Sequence, residues 1–485
     1  MAYKPHPPAG PLLIGYDPES VLAPDHLCRF VDQVIGAVGE IPAENSPLGQ
    51  SGYHPQMLAK VTLYAYATGV FSSRRIEQNC RENLAYIHLT RGQLPSYRVI
   101  CTARIAYKEY FERVWLTSLA TASAEGIAFT GKPAIDATRF KANVSGDLVL
   151  SADQYDEALK TFRGHLERAE AADLREDEEG QAVKVATGVD PTRITIRRVV
   201  RSIGKEAPEG ELTPRLRNRL TECVDAVTQA KAEGRKHVSL SDPDARMMPV
   251  GSSRVVRMGY GLEVAADSGM IVYGQTTTAP SDSERLEPIV ASVRAIDPIP
   301  LTQVTADSGY FNAEQIVKLQ TEGLEVIVPD ATTACQMRRS QLPVAESIAF
   351  EKIETRNAYR CPEGNVLVYI GRKRNSLRYR AVRECLGCPL ADRCLKNSSA
   401  KRRTIHVRSH AERMKAYLAC LLAPEMRVLY HLRGPSVETV FAFIRRILGF
   451  NKWSVRGAGK VSAEAELLKC AYQVRKLQAR NYHAA

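Results

Sequence analysis

Two aspartates at the ends of apolar runs and one glutamate on a helix are the residues of this chain best suited to hold metal ions beside a phosphodiester. Asp136 closes the short apolar stretch Pro133-Ala-Ile and is followed by the cations Arg139 and Lys141. Asp307 closes the β-rich segment Leu301-Thr-Gln-Val-Thr-Ala306, just before a Ser-Gly turn signal. Glu438 is expected in the first turn of a helix starting near Pro435, with Val437, Val440, Phe441, Ile444 and Leu448 as its apolar positions. Phosphodiester cleavage loads charge onto attacking, leaving and non-bridging oxygens together. Two divalent ions about 3.5–4 Å apart stabilise both ends of an in-line displacement. Mg²⁺, or Mn²⁺ in its place, is held by a few carboxylates plus substrate oxygens, so three acids beside a basic surface suit a pair of such ions. Each acid also has a plain reading, since strand-end aspartates form turns and a glutamate early in a helix answers the macrodipole.

The basic surface is present. Lys and Arg outnumber Asp and Glu by 66 to 54, giving +12 and a pI near 9.1, which favours a polyanionic partner. The cations cluster over Arg372–Arg383 and Lys401–Arg413, whereas Glu170–Glu179 is acidic, so the excess is a surface feature. With 485 residues, 44% hydrophobic and 25% charged, the chain can bury a sizeable core in two to four domains. No apolar run reaches the roughly 18 residues of a membrane span and no signal pattern opens the chain, so a cytoplasmic protein with no membrane partner is expected.

The elements that must position the acids form a mixed α/β pattern. Residues 1–50 are Pro-rich and read as an extended arm with one short helix near Asp25–Gly39. Residues 51–125 read as a helical unit: Pro55 to Gly69, Ser72 or Ser73 to Cys80, and Pro95 to about Ala122. Arg74, Arg75, Arg98, Arg104 and Lys108 fall off its apolar stripe, which fits a helix-turn-helix-like DNA-binding module, although three-helix packing explains the same periodicity. Residues 126–330 read as the sheet-bearing core. It is interrupted over about 151–233 by a helical insertion with helix starts at Ser151-Ala-Asp-Gln154, Asp190-Pro191 and Thr213-Pro214. After the insertion, Arg254–Ala266 and Met270–Thr277 flank Asp267-Ser-Gly269 as a hairpin. A helix over Ser283–Ile296, the Asp307 strand, a helix over Asn312–Glu322 and a strand at Leu324–Pro329 follow. Ligands to such a sheet belong at strand ends.

Residues 331–410 carry Cys361, Cys385, Cys388 and Cys394 in a polar stretch rich in Gly and Arg. Four thiols, two of them in a C-x2-C pair, suit a structural Zn²⁺ organising a segment with little core of its own. Free thiols, or a site borrowing Cys335, His406 or His410, are the alternatives. Residues 411–485 return to helix and supply Glu438.

Gly52-Tyr-His-Pro-Gln-Met-Leu, Ile135-Asp-Ala-Thr-Arg-Phe-Lys-Ala-Asn143, Ser241-Asp-Pro-Asp-Ala-Arg246, Ala306-Asp-Ser-Gly-Tyr-Phe311, the four cysteines, Val437-Glu-Thr-Val-Phe441 and Arg456-Gly-Ala-Gly-Lys-Val461 follow one another in an order that resembles bacterial insertion-sequence transposases of the DDE type, most closely the group named after insertion sequence eleven-eighty-two. The resemblance implies an RNase H-like core, with Asp136, Asp307 and Glu438 as the metal-binding catalytic triad and the cysteine segment as a zinc-ribbon-like insertion. It also implies a Tyr, Arg, Glu, Lys signature, for which Tyr430, Arg433, Glu438 and Arg445 stand in order here. The Arg-to-Glu gap is one residue longer than in the best-known form, and arginine replaces the lysine. These residues would contact DNA, and Trp453 has two readings, a platform for a displaced base or, the commoner place for an indole, a buried core residue.

The resulting expectation is an enzyme that binds the terminal inverted repeats of its element in double-stranded DNA, hydrolyses a phosphodiester with Mg²⁺, and joins the freed 3′-hydroxyl to target DNA, as a dimer or higher oligomer on DNA. The alternatives are a metal-dependent nuclease on the same sheet that cuts without joining, and a catalytically inactive, zinc-containing DNA-binding protein.

Overall fold

The computed structural model describes residues 18–41, 52–127, 129–179, 195–204, 212–250, 255–279, 281–296, 301–338, 350–353, 355–373, 376–395, 400–408 and 410–484. Most of the expected N-terminal arm and the helix start at Asp190-Pro191 lie outside the described residues. The fold is mixed α/β. Its centre, among the described residues, is a six-stranded sheet of β1 (Ala134–Lys141), β2 (Arg246–Val250), β3 (Val255–Asp267), β4 (Met270–Thr277), β5 (Gln303–Ala306) and β6 (Glu325–Ile327). β3 pairs antiparallel with β1, β2 and β4, whereas β1, β5 and β6 run parallel to one another, giving the path β2-β3-β1-β5-β6 with β4 also on β3. β3 and β4 form the expected hairpin. Ser268 and Gly269 at its tip hold φ of 51° and 77°, the pair of left-handed residues that a two-residue turn matching strand twist requires.

Helices cover this sheet. α1 (Pro55–Ala67), α2 (Ser73–Glu82), α3 (Tyr97–Ala106) and α4 (Lys108–Ala124) precede it, and α5 (Pro424–Ala442) and α6 (Ala458–Ala484) follow it. The periodicity of Pro95–Ala122 suggests one helix, but the chain breaks at Tyr107, whose φ and ψ of −94° and 25° leave the helical well. Asn83 starts a further short helix, Leu84–Thr90, by accepting the Ala85 N–H on its side chain.

The N-terminal helices share one continuous apolar core with the sheet and α6. Trp115 on α4 donates its indole N–H to the Ile271 carbonyl of β4 at 2.8 Å, and Gln473 on α6 accepts the Ile271 N–H at 3.1 Å. Gly69, just past α1 with φ of 75°, lies so close to the Leu448 carbonyl that an added Cβ would sit 2.6 Å from its oxygen.

The insertion between β1 and β2 carries a separate core, in which Tyr155, Phe162, Leu220 and Val227 are buried. The capping box at Ser151 and Gln154 and Pro214 at the start of its helix form as their spacing suggests.

The segment read as having little core of its own forms a five-stranded antiparallel sheet over Glu351–Arg408, closed around a small core of Leu367, Tyr379, Ala381 and Ile405. Along one of its strands Leu377, Tyr379 and Ala381 alternate with Arg378 and Arg380, a two-residue period inside what the sequence presents as a cluster of cations.

A polar knot ties the N-terminal helices to the C-terminal one. Arg104 is 4% exposed and bonds Glu464 on α6 at 2.9 Å, the Phe71 carbonyl at 3.1 Å, Ser73 at 3.0 Å, Tyr66 and Ser454. Its expected place on a DNA-contacting face is therefore corrected: the guanidinium is inside, because Glu464 lies some 360 residues downstream and sequence periodicity is blind to such a partner. Replacing Arg104 by Met strands the Glu464 carboxylate, so it should cost about 3–5 kcal/mol of stability in a denaturant titration, with no specific change in DNA affinity among molecules that remain folded.

Candidate active site

β1 and β5 pair over two residues only, Ala134 with Thr305 and Ile135 with Ala306, and β5 ends there while β1 runs on to Lys141. The next residues, Asp136 and Asp307, therefore stand on neighbouring segments about 4.8 Å apart, and the expectation that Asp136 ends its strand is corrected: it lies inside β1, because pairing with β3 carries the strand past it. Asp307 turns out of its strand and caps the following turn, its carboxylate accepting the Gly309 N–H at 2.9 Å. Asp136 accepts the Ala137 N–H at 2.8 Å. Burial pushes the Asp136 carboxyl up to about 6 and the Asp307 charge pushes it the same way, while Arg433 opposes both.

Glu438 reaches this point from α5. That helix does not begin at Pro435 as the sequence suggests; it begins at Pro424 and runs through Pro435. A proline inside a helix forfeits one ladder bond. Packing outweighs that loss here, because Tyr430, Arg433, Val437, Val440 and Phe441 form one buried stripe on both sides of the proline. One guanidinium on that stripe touches two of the three acids: Arg433 Nη1 lies 3.2 Å from Asp136 Oδ2, and Nη2 lies 3.9 Å from Glu438 Oε1. The Glu438 side chain is 68% exposed, so the open side of the cluster faces solvent.

A second layer of acids escaped sequence reading. Asp282 holds Arg139 with both carboxylate oxygens at 3.0 and 2.9 Å, and the fully buried Glu263 holds Arg285 at 2.8 and 2.9 Å. Tyr310 is buried beside them, its hydroxyl without a partner, and burial with the charges of Asp282, Glu263, Asp136 and Asp307 raises that phenol strongly. Arg139 and Arg285 were visible as cations, but their partners lie across the sheet and have no local signature.

The remaining signature residues are less available than their sequence order implies. Tyr430 is 3% exposed, and its ring lies 5.7 Å from the Arg433 guanidinium. Arg445 sits in a π-turn, Phe443–Ile447, donates to Thr138 Oγ1 at 2.6 Å and to the Arg139 carbonyl at 3.0 Å, and stacks 4.5 Å over Phe140. It ties α5 to β1. Trp453 is fully buried against Phe140 and Phe450, with centroids 5.7 and 5.1 Å away, so the expectation of a base-stacking platform is corrected: the indole fills core where three aromatics converge.

Arg74, Arg75 and Arg98 are exposed and Lys108 is half-buried. Arg74 and Arg98 flank the Tyr97 ring at 4.9 and 5.9 Å and line one open cleft with Asn143 and Lys452. No carboxylate neutralises Arg74, Arg98 or Lys452 among the described residues.

Cys361, Cys385, Cys388 and Cys394 line one cavity, which neither Cys335 nor His406 nor His410 enters. The Cys361 and Cys385 sulfurs accept the N–H groups of Asn365 and Arg403 at 3.2 and 3.3 Å. Burial raises the Cys394 thiol, Arg403 opposes this, and the three other thiols add to it. Among the described residues, no three His, Cys, Asp or Glu side chains are gathered closely enough to form a ligand shell as they stand, at this cavity or at the acids.

Residues 360–478 match the family described as "Transposase DDE domain", and residues 17–105 match "Transposase domain (DUF772)". Two separate stretches of the chain thus match transposase families, one of them a DDE domain, which supports a DDE-type insertion-sequence transposase. No curated protein matches it. The first match spans the four cysteines and Glu438 but does not include Asp136 and Asp307. No helix among the described residues is long and apolar enough to cross a membrane. In metal-free transposase, a carboxyl-detected NMR titration should show Asp136 losing its proton near pH 6 rather than near 3.8. Because the folded value is the higher one, its contribution to stability is complete below about pH 4 and is lost as pH rises to about 6.

Proposed function

We propose that this transposase binds the ends of its own insertion sequence, hydrolyses a phosphodiester to free a 3′-hydroxyl, and directs that hydroxyl in line onto target DNA. The sheet supports an RNase H-like reading: antiparallel strands on one side of β1, parallel strands on the other, an acid on β1, and a second acid on its parallel neighbour. The observation that carries the proposal is the ladder pair Ile135–Ala306, which delivers Asp136 and Asp307 together at the point where α5 brings Arg433 and Glu438.

Asp136, Asp307 and Glu438 would hold two Mg²⁺ or Mn²⁺ ions. Such ions polarise the phosphate and stabilise the attacking and leaving oxygens. The donor set fits: the carboxylates are close enough for Asp307 to raise Asp136, and a cation, the Arg433 guanidinium, already bridges Asp136 to Glu438. The chain's own contributions are more direct. Asp136 must be deprotonated to act as a ligand, and the buried ladder fixes its separation from Asp307. Exposed Arg74, Arg75 and Arg98, with Lys108, offer phosphate contacts that position the duplex without reading its sequence. Assembly on paired ends would take a dimer or larger oligomer.

A structural Zn²⁺ at Cys361, Cys385, Cys388 and Cys394 belongs to the same proposal. The donor chemistry supports it: four half-buried thiols around one cavity, two already accepting backbone N–H bonds as zinc-bound thiolates do. Membership of the group named after insertion sequence eleven-eighty-two rests on the motifs quoted above.

Asp136→Asn, Asp307→Asn and Glu438→Gln should each lower Mg²⁺-dependent cleavage of end-bearing DNA on the order of 10³-fold or more while leaving end binding intact. Joining of a pre-cleaved end to a target plasmid should fall with it. Cleavage without joining in the unaltered protein would make it a nuclease, and activity indifferent to all three substitutions would leave a DNA-binding protein. Elemental analysis should find about one zinc per chain, with Cys388→Ser losing both the metal and thermal stability.

A further inference from the structure

Arg433 is an unusual neighbour for a set of metal ligands. Its side chain is 9% exposed, its Nη atoms face Asp136 and Glu438 at 3.2 and 3.9 Å, and its Nε has no hydrogen-bond partner. A guanidinium stays charged at every pH at which the protein folds, and its planar fork can meet two carboxylates at once. We propose that Arg433 is a stand-in cation that occupies the acid cluster of the DNA-free transposase and must withdraw before divalent ions can enter, so that it sets the affinity of the site for metal. This rests on the metal-site reading of the three acids given above.

The physical case is one of charge and space. Asp136, Asp307 and Glu438 are like charges that would repel one another without a cation beside them, and Arg433 is the cation that lies against two of them. A divalent ion placed on Asp136 Oδ2 competes for the lone pairs that Arg433 Nη1 now uses, and the two positive charges repel across a few ångströms. The fit of the guanidinium is imperfect, with Nε unpartnered and the Glu438 arm at 3.9 Å, beyond hydrogen-bond reach. The Tyr430 ring, 5.7 Å from the guanidinium, is the aromatic face beside it in this position. A merely structural role leads elsewhere, since losing a structural arginine would loosen the acids and weaken any metal they hold.

The test is Mn²⁺ binding to full-length, DNA-free protein, followed by electron paramagnetic resonance and calorimetry rather than by activity. Arg433→Gln should bind Mn²⁺ about ten-fold more tightly than the unaltered protein, equivalent to about 1.4 kcal/mol. Arg433→Lys, which keeps the charge, should stay within about two-fold of it. Asp136→Asn should lose the site. Equal or weaker Mn²⁺ binding by a folded Arg433→Gln protein overturns the proposal, and the metal-site reading still stands if Asp136→Asn loses binding. Mn²⁺ binding that survives Asp136→Asn instead overturns the metal-site reading itself. Should the Gln variant not fold, Arg433→Met, similar in length and apolar, is measured for the same gain.

Discussion

The register of β1 against β5 is the constraint from which the rest of the site follows. A parallel ladder fixes which residues emerge together, and the pair Ile135–Ala306 fixes Asp136 and Asp307 as the next residues on adjacent strands. A shift of one residue on either strand would turn one carboxylate to the opposite face of the sheet. The register is in turn held by burial: Ala134, Ile135, Val304 and Ala306 are all nearly or fully inaccessible, and β3 clamps β1 along its whole length from Ala134 to Lys141. Close approach across that clamp is severe enough that a Cβ at Gly259 would lie 2.5 Å from the Phe140 carbonyl oxygen. The acids are placed by apolar packing, and their electrostatics are a consequence of it.

Bringing carboxylates together inside a protein is unfavourable, and the two acid layers resolve it differently. Asp282 and Glu263 are each neutralised by a two-oxygen contact from one arginine, Arg139 or Arg285, a geometry that spends the acid on structure. Asp136 and Asp307 follow the last ladder pair of β1 and β5, with Arg433 between the first of them and Glu438. That asymmetry separates acids committed to holding the fold from acids with bonding capacity left over. It explains why five carboxylates in one region do not amount to five candidate ligands.

What could be read from the sequence, and what could not, divides along the range of the interaction. The β3–β4 hairpin, the capping box at Ser151 and the proline-led helix at Thr213 have local signatures, and the fold contains each of them; Asp307 follows the end of its strand as expected, whereas Asp136 lies inside β1. Arg104 was misplaced, and Trp453 was left with two readings, because exposure is not local. One is a cation claimed by Glu464 from the far end of the chain, and the other is an indole enclosed by Phe140 and Phe450. Pro435 misplaced a helix start for a related reason. Its cost is local, but the stripe from Tyr430 to Phe441 that outweighs it is felt only against the sheet. The small sheet around the cysteines was missed because its strands expose charged faces and bury few side chains.

The long excursion between the first two acids is tolerable for the same reason that the site is well defined. About 170 residues separate Asp136 from Asp307, and a chain that long could misplace β5 if its interior competed for the main core. The insertion does not compete. Its helices close on Tyr155, Phe162, Leu220 and Val227 in a cluster of their own, and the short ladder of Val149–Ser151 with His237–Ser239 brings its two ends together beside the sheet. The chain therefore re-enters at β2 close to where it left after β1, so the loop that β5 must close is effectively much shorter than the sequence separation. A self-contained insertion can vary in length without moving the acids. A change in the four residues of β5, all buried, cannot.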